Sequence, residues 1–339
     1  MKHWPAHFIV VVFVLLAGCK SELPPQVVVV YSSVDKEIAA PLLAEFTKAT
    51  GILVRASYKA EAASSGSIAQ TIYAERDRPR CDLFWNNDIL STLLLERSGL
   101  LRAYDSPAAA NYPTSCRSRE NTWFGFAAQA RVFVVNKNQL AEARRPDSIV
   151  DLIDPQWYER TAIAQPLYGT SATHAGCLSQ VWGDAKAREF YRAVKRNARI
   201  LADNRTVAHA VATGQLAFGL SDTGSAVDEM TAGSPVTIVY PDQAPDGLGT
   251  LYIPNTLALV KDSPHPDEAE QLLDYLLSPA VERRLAEGPA SRIPLQSGVA
   301  ASDRVKTATQ VRAMRADFSA AADHWNATAK LLQADFAAP

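Results

Sequence analysis

Hydrophobic and polar positions along the chain alternate between two periods. Val27-Val28-Val29-Val30-Tyr31 is an unbroken, mostly β-branched run, the mark of a strand buried on both faces. Ser32-Ser33 follows, then a helical stretch from about Asp35 in which Ile38, Leu42, Leu43 and Phe46 share one face. Thr50-Gly51 closes it, glycine taking the left-handed cap. Ile52–Tyr58 reads as a second strand, Ser65–Arg76 as a helix, and Asp82-Leu83-Phe84-Trp85 as a third strand before Asn86-Asn87 and a helix near Ile89–Arg97. Strands alternating with helices imply a mostly parallel sheet covered on both faces.

From Trp123 to Asn136 the rhythm breaks. A long extended segment with no helix inside it reads as the chain crossing into a second lobe. Ile163 opens another α/β series, with a turn at Leu167-Tyr168-Gly169-Thr170-Ser171 and a helix from about Ala172. Ala202–Thr213 follows as a helix, Leu216–Leu220 and Val236–Tyr240 as strands, and Tyr252–Val260 as the return crossing. The tail is helical: Pro264–Leu277 sets Ala269, Leu272, Leu273 and Leu276 on one face, and Ser278-Pro279 starts the next helix with proline at its favoured first position.

The N-terminus is a targeting segment. Lys2 precedes the apolar run Phe8–Leu16, and Leu16-Ala17-Gly18-Cys19 ends it. The run is too short to span a bilayer, which takes ~20 residues, and fits a signal peptide. The cysteine resembles the acylated residue of a bacterial lipobox. Residues 1–18 are therefore expected to be removed, Cys19 to be lipidated, and 19–25 to form a tether. The protein is then extracytoplasmic or periplasmic and touches the membrane through its lipid only.

Composition narrows the remaining functions. Lys and Arg number 34 against 36 Asp and Glu, a net charge of -2, which argues against nucleic-acid partners. Apolar residues make up 47%, ample for real cores. Beyond Cys19, Cys81, Cys116 and Cys177 form an odd set that allows at most one internal bridge, Cys81–Cys116, with unpaired thiols as the plainer reading. GxSxG, HExxH, CxxC and phosphate-loop motifs are absent. His174 and Cys177 lie three apart on one expected helix but lack a recognisable third partner. No enzyme is expected.

Three stretches together carry a family resemblance: VVVVYSSVDKEIAAPLLAEFTKATGILV (27–54), CDLFWNND (81–88) with WFGFAAQARVFVVN (123–136), and IPNTLALVKDSPHPDEAEQLLDYLLSPAVERRLAEG (253–288) followed by Ile293-Pro294-Leu295. They resemble the periplasmic solute-binding proteins of ferric-iron-type ABC importers. The resemblance implies a two-lobed type II periplasmic-binding fold. Each lobe is a mostly parallel sheet flanked by helices, with 26–126 and 256–339 as lobe 1 and 127–255 as lobe 2 with the crossing strands. It also implies a monomer that delivers a small solute to a permease and its ATPase. An enzyme or ligand sensor on the same scaffold is the alternative. Where the family's ferric ligands fall, this chain has Val34 or Asp35 for histidine, Asn86 or Asn87 for glutamate, and Thr223-Gly224 for the tyrosine pair. Amides and hydroxyls suit hard ferric iron poorly, so a ferric or other metal ion enters only as transported cargo, beside a phosphate- or phosphonate-like oxyanion or a small organic solute. No cofactor is implied.

In open α/β sheets solutes sit beyond the carboxyl ends of the strands. The candidate contacts are therefore the polar turns Ser32-Ser33, Glu61, Asn86-Asn87, Thr170-Ser171, Asn204 and Asp222-Thr223. Thr170-Ser171 opens a helix, whose free N–H groups and dipole attract anions or simply take a cap. Asp222 reads equally as a helix cap, and Asn204 reads as a cap before it reads as a ligand.

Replacing Cys19 by serine is expected to release the protein from membranes into the soluble fraction. Equal partitioning of variant and native protein would refute acylation.

Overall fold

The computed structural model describes residues 26–58, 68–289 and 291–336. The signal and tether segments, Cys19 and Glu61 lie outside them. In chain order the elements are β1 (Val27–Ser32), α1 (Lys36–Thr50), β2 (Leu53–Tyr58), α2 (Ile68–Ala74), β3 (Leu83–Asn86), α3 (Leu90–Arg97), β4 (Leu101–Arg102) and β5 (Phe124–Asn136). Then come β6 (Thr161–Ala164), α4 (Gly169–Trp182), α5 (Asp184–Asn197), β7 (Arg199–Leu201), α6 (Asn204–Ala212), β8 (Phe218–Asp222), α7 (Thr223–Thr231) and β9 (Val236–Val239). The chain finishes with β10 (Tyr252–Val260), α8 (Pro266–Leu276), α9 (Pro279–Glu287) and α10 (Phe318–Phe336).

Local chemistry sets many of these boundaries. Gly51 ends α1 at φ 79°, its N–H bonded to the Thr47 carbonyl. Ser278 caps α9 by accepting from the Val281 N–H, with Pro279 next. The helix α5 has a strong apolar face of Ala187, Phe190, Tyr191 and Val194 and was not singled out from sequence.

The strands run in the order β2-β1-β3-β10-β5-β8-β6-β7, with β4 beside β10 and β9 beside β5. β1 pairs parallel with β2 and β3, and β6 pairs parallel with β7 and β8. The junctions at β10 and β5 are antiparallel, so the sheet is mixed where the chain crosses. One apolar cluster lies under β1–β3 with α1 and α8. Another lies under β5 and β6 with α6 and α7. A third runs across both halves through α3, α4, α5 and α10. Residues 256–339 were expected with lobe 1, but α10 packs on α4 and α5 as well as on α3. Asp335 pairs with Arg188 and Arg192 of α5, and Arg97 of α3 pairs with Asp323. Cys81, Cys116 and Cys177 are free thiols. Among the described residues no helix is long and apolar enough to cross a membrane.

All thirteen residues of β5 are buried. Its first half pairs with β10 and its second with β8 and β9. Within the part paired with β10, at the register shift between Phe126 and Gln129, Ala127 adopts φ 44°, a left-handed conformation costing ~1–2 kcal/mol for a residue with a Cβ. Glu282 of α9 holds it there. Its carboxylate is fully buried and accepts from the N–H groups of Ala127 (3.1 Å), Leu295 (2.8 Å) and Gln296 (2.9 Å). The Ala127 carbonyl accepts from the Asn255 amide of β10. Ala128 and Ile293 exchange backbone bonds at 2.7 and 2.8 Å. Hydrogen bonds to a charged group contribute ~1.5–3 kcal/mol each, so three of them outweigh the local strain.

Glu282→Ala is expected to lower unfolding free energy by about 3–5 kcal/mol, the scale of stranding buried partners of a charge. Urea unfolding measures it, and a loss under ~1 kcal/mol would show that the carboxylate does not hold the crossing.

Candidate functional site

Two groups of polar turns face each other across the crossing strands. In the first half, β1 and β3 are parallel neighbours, with Ser32 opposite Trp85, so the turns after them adjoin. Ser33 Oγ lies 2.6 Å from Asn86 Oδ1 and 3.0 Å from Asn87 Oδ1, its one proton serving either, and it accepts from the Asn87 N–H at 2.9 Å. The Asn86 amide donates to the Asp88 carbonyl and to Thr92 Oγ1. Ser32 is fully buried, and its hydroxyl accepts from the Val34 N–H within its own turn.

In the second half, α4, α6 and α7 begin directly after β6, β7 and β8, and their positive dipole ends gather at the strand ends. Asp203 caps α6 through the Thr206 N–H at 2.7 Å. Asp222 caps α7 through the Ser225 N–H at 2.8 Å. By contrast, α4 starts at Tyr168 with no side-chain cap, and Gly169 turns there at φ 54°. Behind that start lies Arg131, a β5 residue only 2% exposed. Its guanidinium donates to Thr170 Oγ1 (3.2 Å), Ser171 Oγ (3.3 Å) and Asn204 Oδ1 (2.8 Å). The Asn204 amide donates to Thr170 Oγ1 at 2.9 Å. Thr223 Oγ1 accepts from the Ala130 N–H and so anchors β5.

The structure thus brings Thr170, Ser171 and Asn204 into one network and Ser33, Asn86 and Asn87 into another. Ser32, Asp222 and Thr223 serve local turns and caps at the edges of these networks. Arg131 was missed from sequence, although a lone arginine inside an apolar strand, Ala-Arg-Val-Phe-Val-Val, was the available signal. His174 is buried on α4. Desolvation, with the nearby Arg131 charge second, holds its pKa down to about 3, so it adds no charge to the site. Burial raises the Asp88 carboxyl against the hydrogen bonds of Ser91.

A cavity of about 470 Å3 joins the halves, lined by Ser33, Asn86, Tyr168 and Gly169, with Tyr73 and Trp325 at its sides. Asp35, at the start of α1, and Arg205 of α6 form an ion pair at 2.7 Å between the halves. Both are substantially exposed, so the pair contributes at most ~1 kcal/mol. Among the described residues no group of three or more His, Cys, Asp or Glu is placed to hold a metal.

Two α/β halves joined by crossing strands, with polar strand-end turns lining a cavity between them, are the architecture of a solute-binding protein. The model of the bacterial extracellular solute-binding proteins matches residues 42–313, and the chain belongs to that family. Its members capture a small solute outside the cytoplasm for an ABC importer. The chain is 26% identical over 206 residues to the Fe(3+)-binding periplasmic protein of Serratia marcescens, covering 61% of this chain and 60% of that one. It is 23% identical to the major ferric iron-binding protein of Neisseria meningitidis serogroup B, covering 95% of this chain and 97% of that one. It is also 23% identical to a putative 2-aminoethylphosphonate-binding periplasmic protein of Salmonella typhi, over 76% and 74% of the two chains. The periplasmic binding protein AfuA of Actinobacillus pleuropneumoniae, solved with fructose-6-phosphate, superposes with a TM-score of 0.82 at 20% identity, covering 93% of this chain and all of that one. That likeness concerns the fold.

His174 generates an acid sensitivity. Below about pH 6.5 the unfolded chain protonates this imidazole, whereas the folded chain resists until about 3. The unfolded state therefore binds more protons, and stability falls as pH falls. Between pH 7 and 5 the loss from this residue is expected to be about 2 kcal/mol, at 1.36 kcal/mol per unit. His174→Asn should remove that component, and unfolding curves of the two proteins that fall in parallel over this range would refute it.

Proposed function

We propose that the transported solute is an organic phosphate or phosphonate, captured between two lobes that close about Ala127 and Asn255. The observation that carries this reading is the uncapped start of α4 with Arg131 behind it. The two neighbouring helices are capped by their own aspartates, while α4 presents its N-terminal end with the hydroxyls of Thr170 and Ser171 and the amide of Asn204 around it. Backbone N–H groups, a helix dipole and a fixed guanidinium are the chemistry that holds a phosphoryl group.

Cavity size supports an organic body on that anion. About 470 Å3 falls within the ~300–1,000 Å3 of small-molecule pockets and is many times the ~30 Å3 of one water, so a bare oxyanion would leave most of it filled with solvent. Ser33, Asn86 and the faces of Tyr73 and Trp325 offer hydrogen bonds and stacking surface to such a body. Ferric iron has the names of several relatives in its favour. The residues of this chain oppose it: beside the phenols of Tyr73 and Tyr168 the cavity has Asp88 alone as a carboxylate, and among the described residues no group of three or more His, Cys, Asp or Glu is placed to hold a hard cation. The protein acts without catalysis, as a monomer tethered by a lipid on Cys19, and passes the solute to a permease and its ATPase. The Asp35–Arg205 pair closes the lobes weakly enough to reopen.

Calorimetry with inorganic phosphate, glycerol 3-phosphate, 2-aminoethylphosphonate and ferric citrate tests the reading. One of the two organic probes is expected to bind at least tenfold more tightly than inorganic phosphate. Thr170→Ala with Ser171→Ala should weaken it by roughly 10–100-fold, as loss of two charge-assisted contacts implies. Tight ferric binding that the double variant leaves intact would overturn it.

A further inference from the structure

One wall of the cavity between the halves comes from the tail of the chain. Trp325, Asn326, Ala329 and Gln333 of α10 line it together with Tyr168 and Gly169 at the start of α4. Positions 325, 329 and 333 are spaced by four, so they form a single stripe along the helix. At about 1.5 Å per residue that stripe runs ~12 Å. The adjoining face of α10 is occupied elsewhere, with Ala321, Ala322, Leu332 and Phe336 buried where the helix packs on α4 and α5. Both ends are fastened. Asp323 pairs with Arg97 of α3 at 2.8 Å, and Asp335 pairs with Arg188 and Arg192 of α5 at 2.9 and 3.0 Å. Trp325 is half-buried. A Cβ on Gly176 of α4 would stand 3.6 Å from Cε3 of its ring, so the indole lies against α4 on one side and borders the cavity on another.

The chemistry of this wall differs from that of the anion end. Its groups are an indole, two amides and a methyl, none of them charged. The one carboxylate lining the cavity, Asp88, is engaged by the Ser91 N–H at 2.9 Å and the Ser91 hydroxyl at 3.2 Å. Amides donate and accept alike and so match hydroxyl groups, while the indole supplies apolar contact area. A phosphoryl group seated at the start of α4 cannot extend along a stripe of that length; only an organic body attached to it can. Ala329, between Trp325 and Gln333, leaves room for that body. We infer that α10 reads the organic part of the solute: Trp325, Asn326 and Gln333 contact an uncharged, hydroxyl-bearing body, and Ala329 sets the size admitted. The solute class is then a phosphate ester of a polyol or sugar rather than an aminoalkylphosphonate. Alanine and leucine are both strong helix formers, so a larger side chain at position 329 leaves α10 intact and is felt by the solute.

This inference rests on the anion reading above. The test uses the mature chain with inorganic phosphate, glycerol 3-phosphate, glucose 6-phosphate and 2-aminoethylphosphonate as probes, with affinities from calorimetry and melting temperatures recorded for every variant. Trp325→Ala is expected to weaken the tighter-binding of the two esters at least fivefold while changing inorganic phosphate less than twofold. Ala329→Leu leaves the packed face of α10 untouched and serves where Trp325→Ala does not fold. It should weaken the same ester at least threefold, again sparing inorganic phosphate. The Thr170/Ser171 double variant, by contrast, should weaken all phosphoryl probes together. If either folded variant leaves the ratio of ester to inorganic phosphate affinity within twofold of the unaltered protein while the double variant loses affinity, α10 does not read the body and the anion reading stands. Tighter binding of 2-aminoethylphosphonate than of both esters would equally overturn the inference. If the unaltered protein binds none of the phosphoryl probes, the anion reading falls and this inference falls with it.

Discussion

The structure turns on the way Glu282 fastens the left-handed step in β5. A buried strand thirteen residues long pairs along its first part with β10 and along its second with β8 and β9. The step at Ala127 falls inside the β10 pairing, where the register shifts between Phe126 and Gln129, and three N–H groups converging on one carboxylate keep it in place. Burying a carboxylate costs several kcal/mol unless its lone pairs are engaged, so the arrangement holds only as a set. The α9 segment, residues 295–296 and the crossing strand are committed together. That commitment fixes which faces of β5 look toward the cleft.

Arg131 and Gln129 follow from it. With the step at Ala127 set, alternation along the strand sends both toward the strand-end turns of the second half. The crossing thus serves as a scaffold for charge, fixing where the Arg131 guanidinium stands relative to the start of α4.

What the sequence revealed was what local chemistry determines. The Val27–Tyr31 run, the Gly51 cap, Ser278-Pro279 and the two crossing segments each carry their signal within a few residues, and the strands and helices fall close to where that signal puts them. Polar turns at Ser33, Asn86-Asn87, Thr170-Ser171 and Asn204 were legible because a strand end followed by a helix start leaves N–H groups to satisfy. Their grouping was not. Arg131 meets Thr170 and Asn204 across 39 and 73 residues of chain, a separation at which periodicity has no memory. The packing of the tail was not legible for a similar reason: α10 has an apolar face, but nothing in its own sequence says whether that face meets α3 or α4, and it packs against both.

The three helix starts of the second half show how a site is distinguished from ordinary folding. Every helix leaves N–H groups unpaired at its first turn, and most proteins satisfy them with a nearby side chain. Here α6 and α7 do so with Asp203 and Asp222. An aspartate before α4 would have capped it equally well, and would have placed a negative charge beside Arg131. The chain has Tyr168 there instead, and a glycine at the first helical position. The same aspartate that stabilises a capped helix would repel an incoming anion, so the stabilisation forgone at α4 leaves its positive end able to recognise one. Arg131, held by hydroxyls and an amide rather than folded back on the helix start, reinforces that choice. Under the function proposed above, anion affinity follows from which of three equivalent positions lacks a carboxylate.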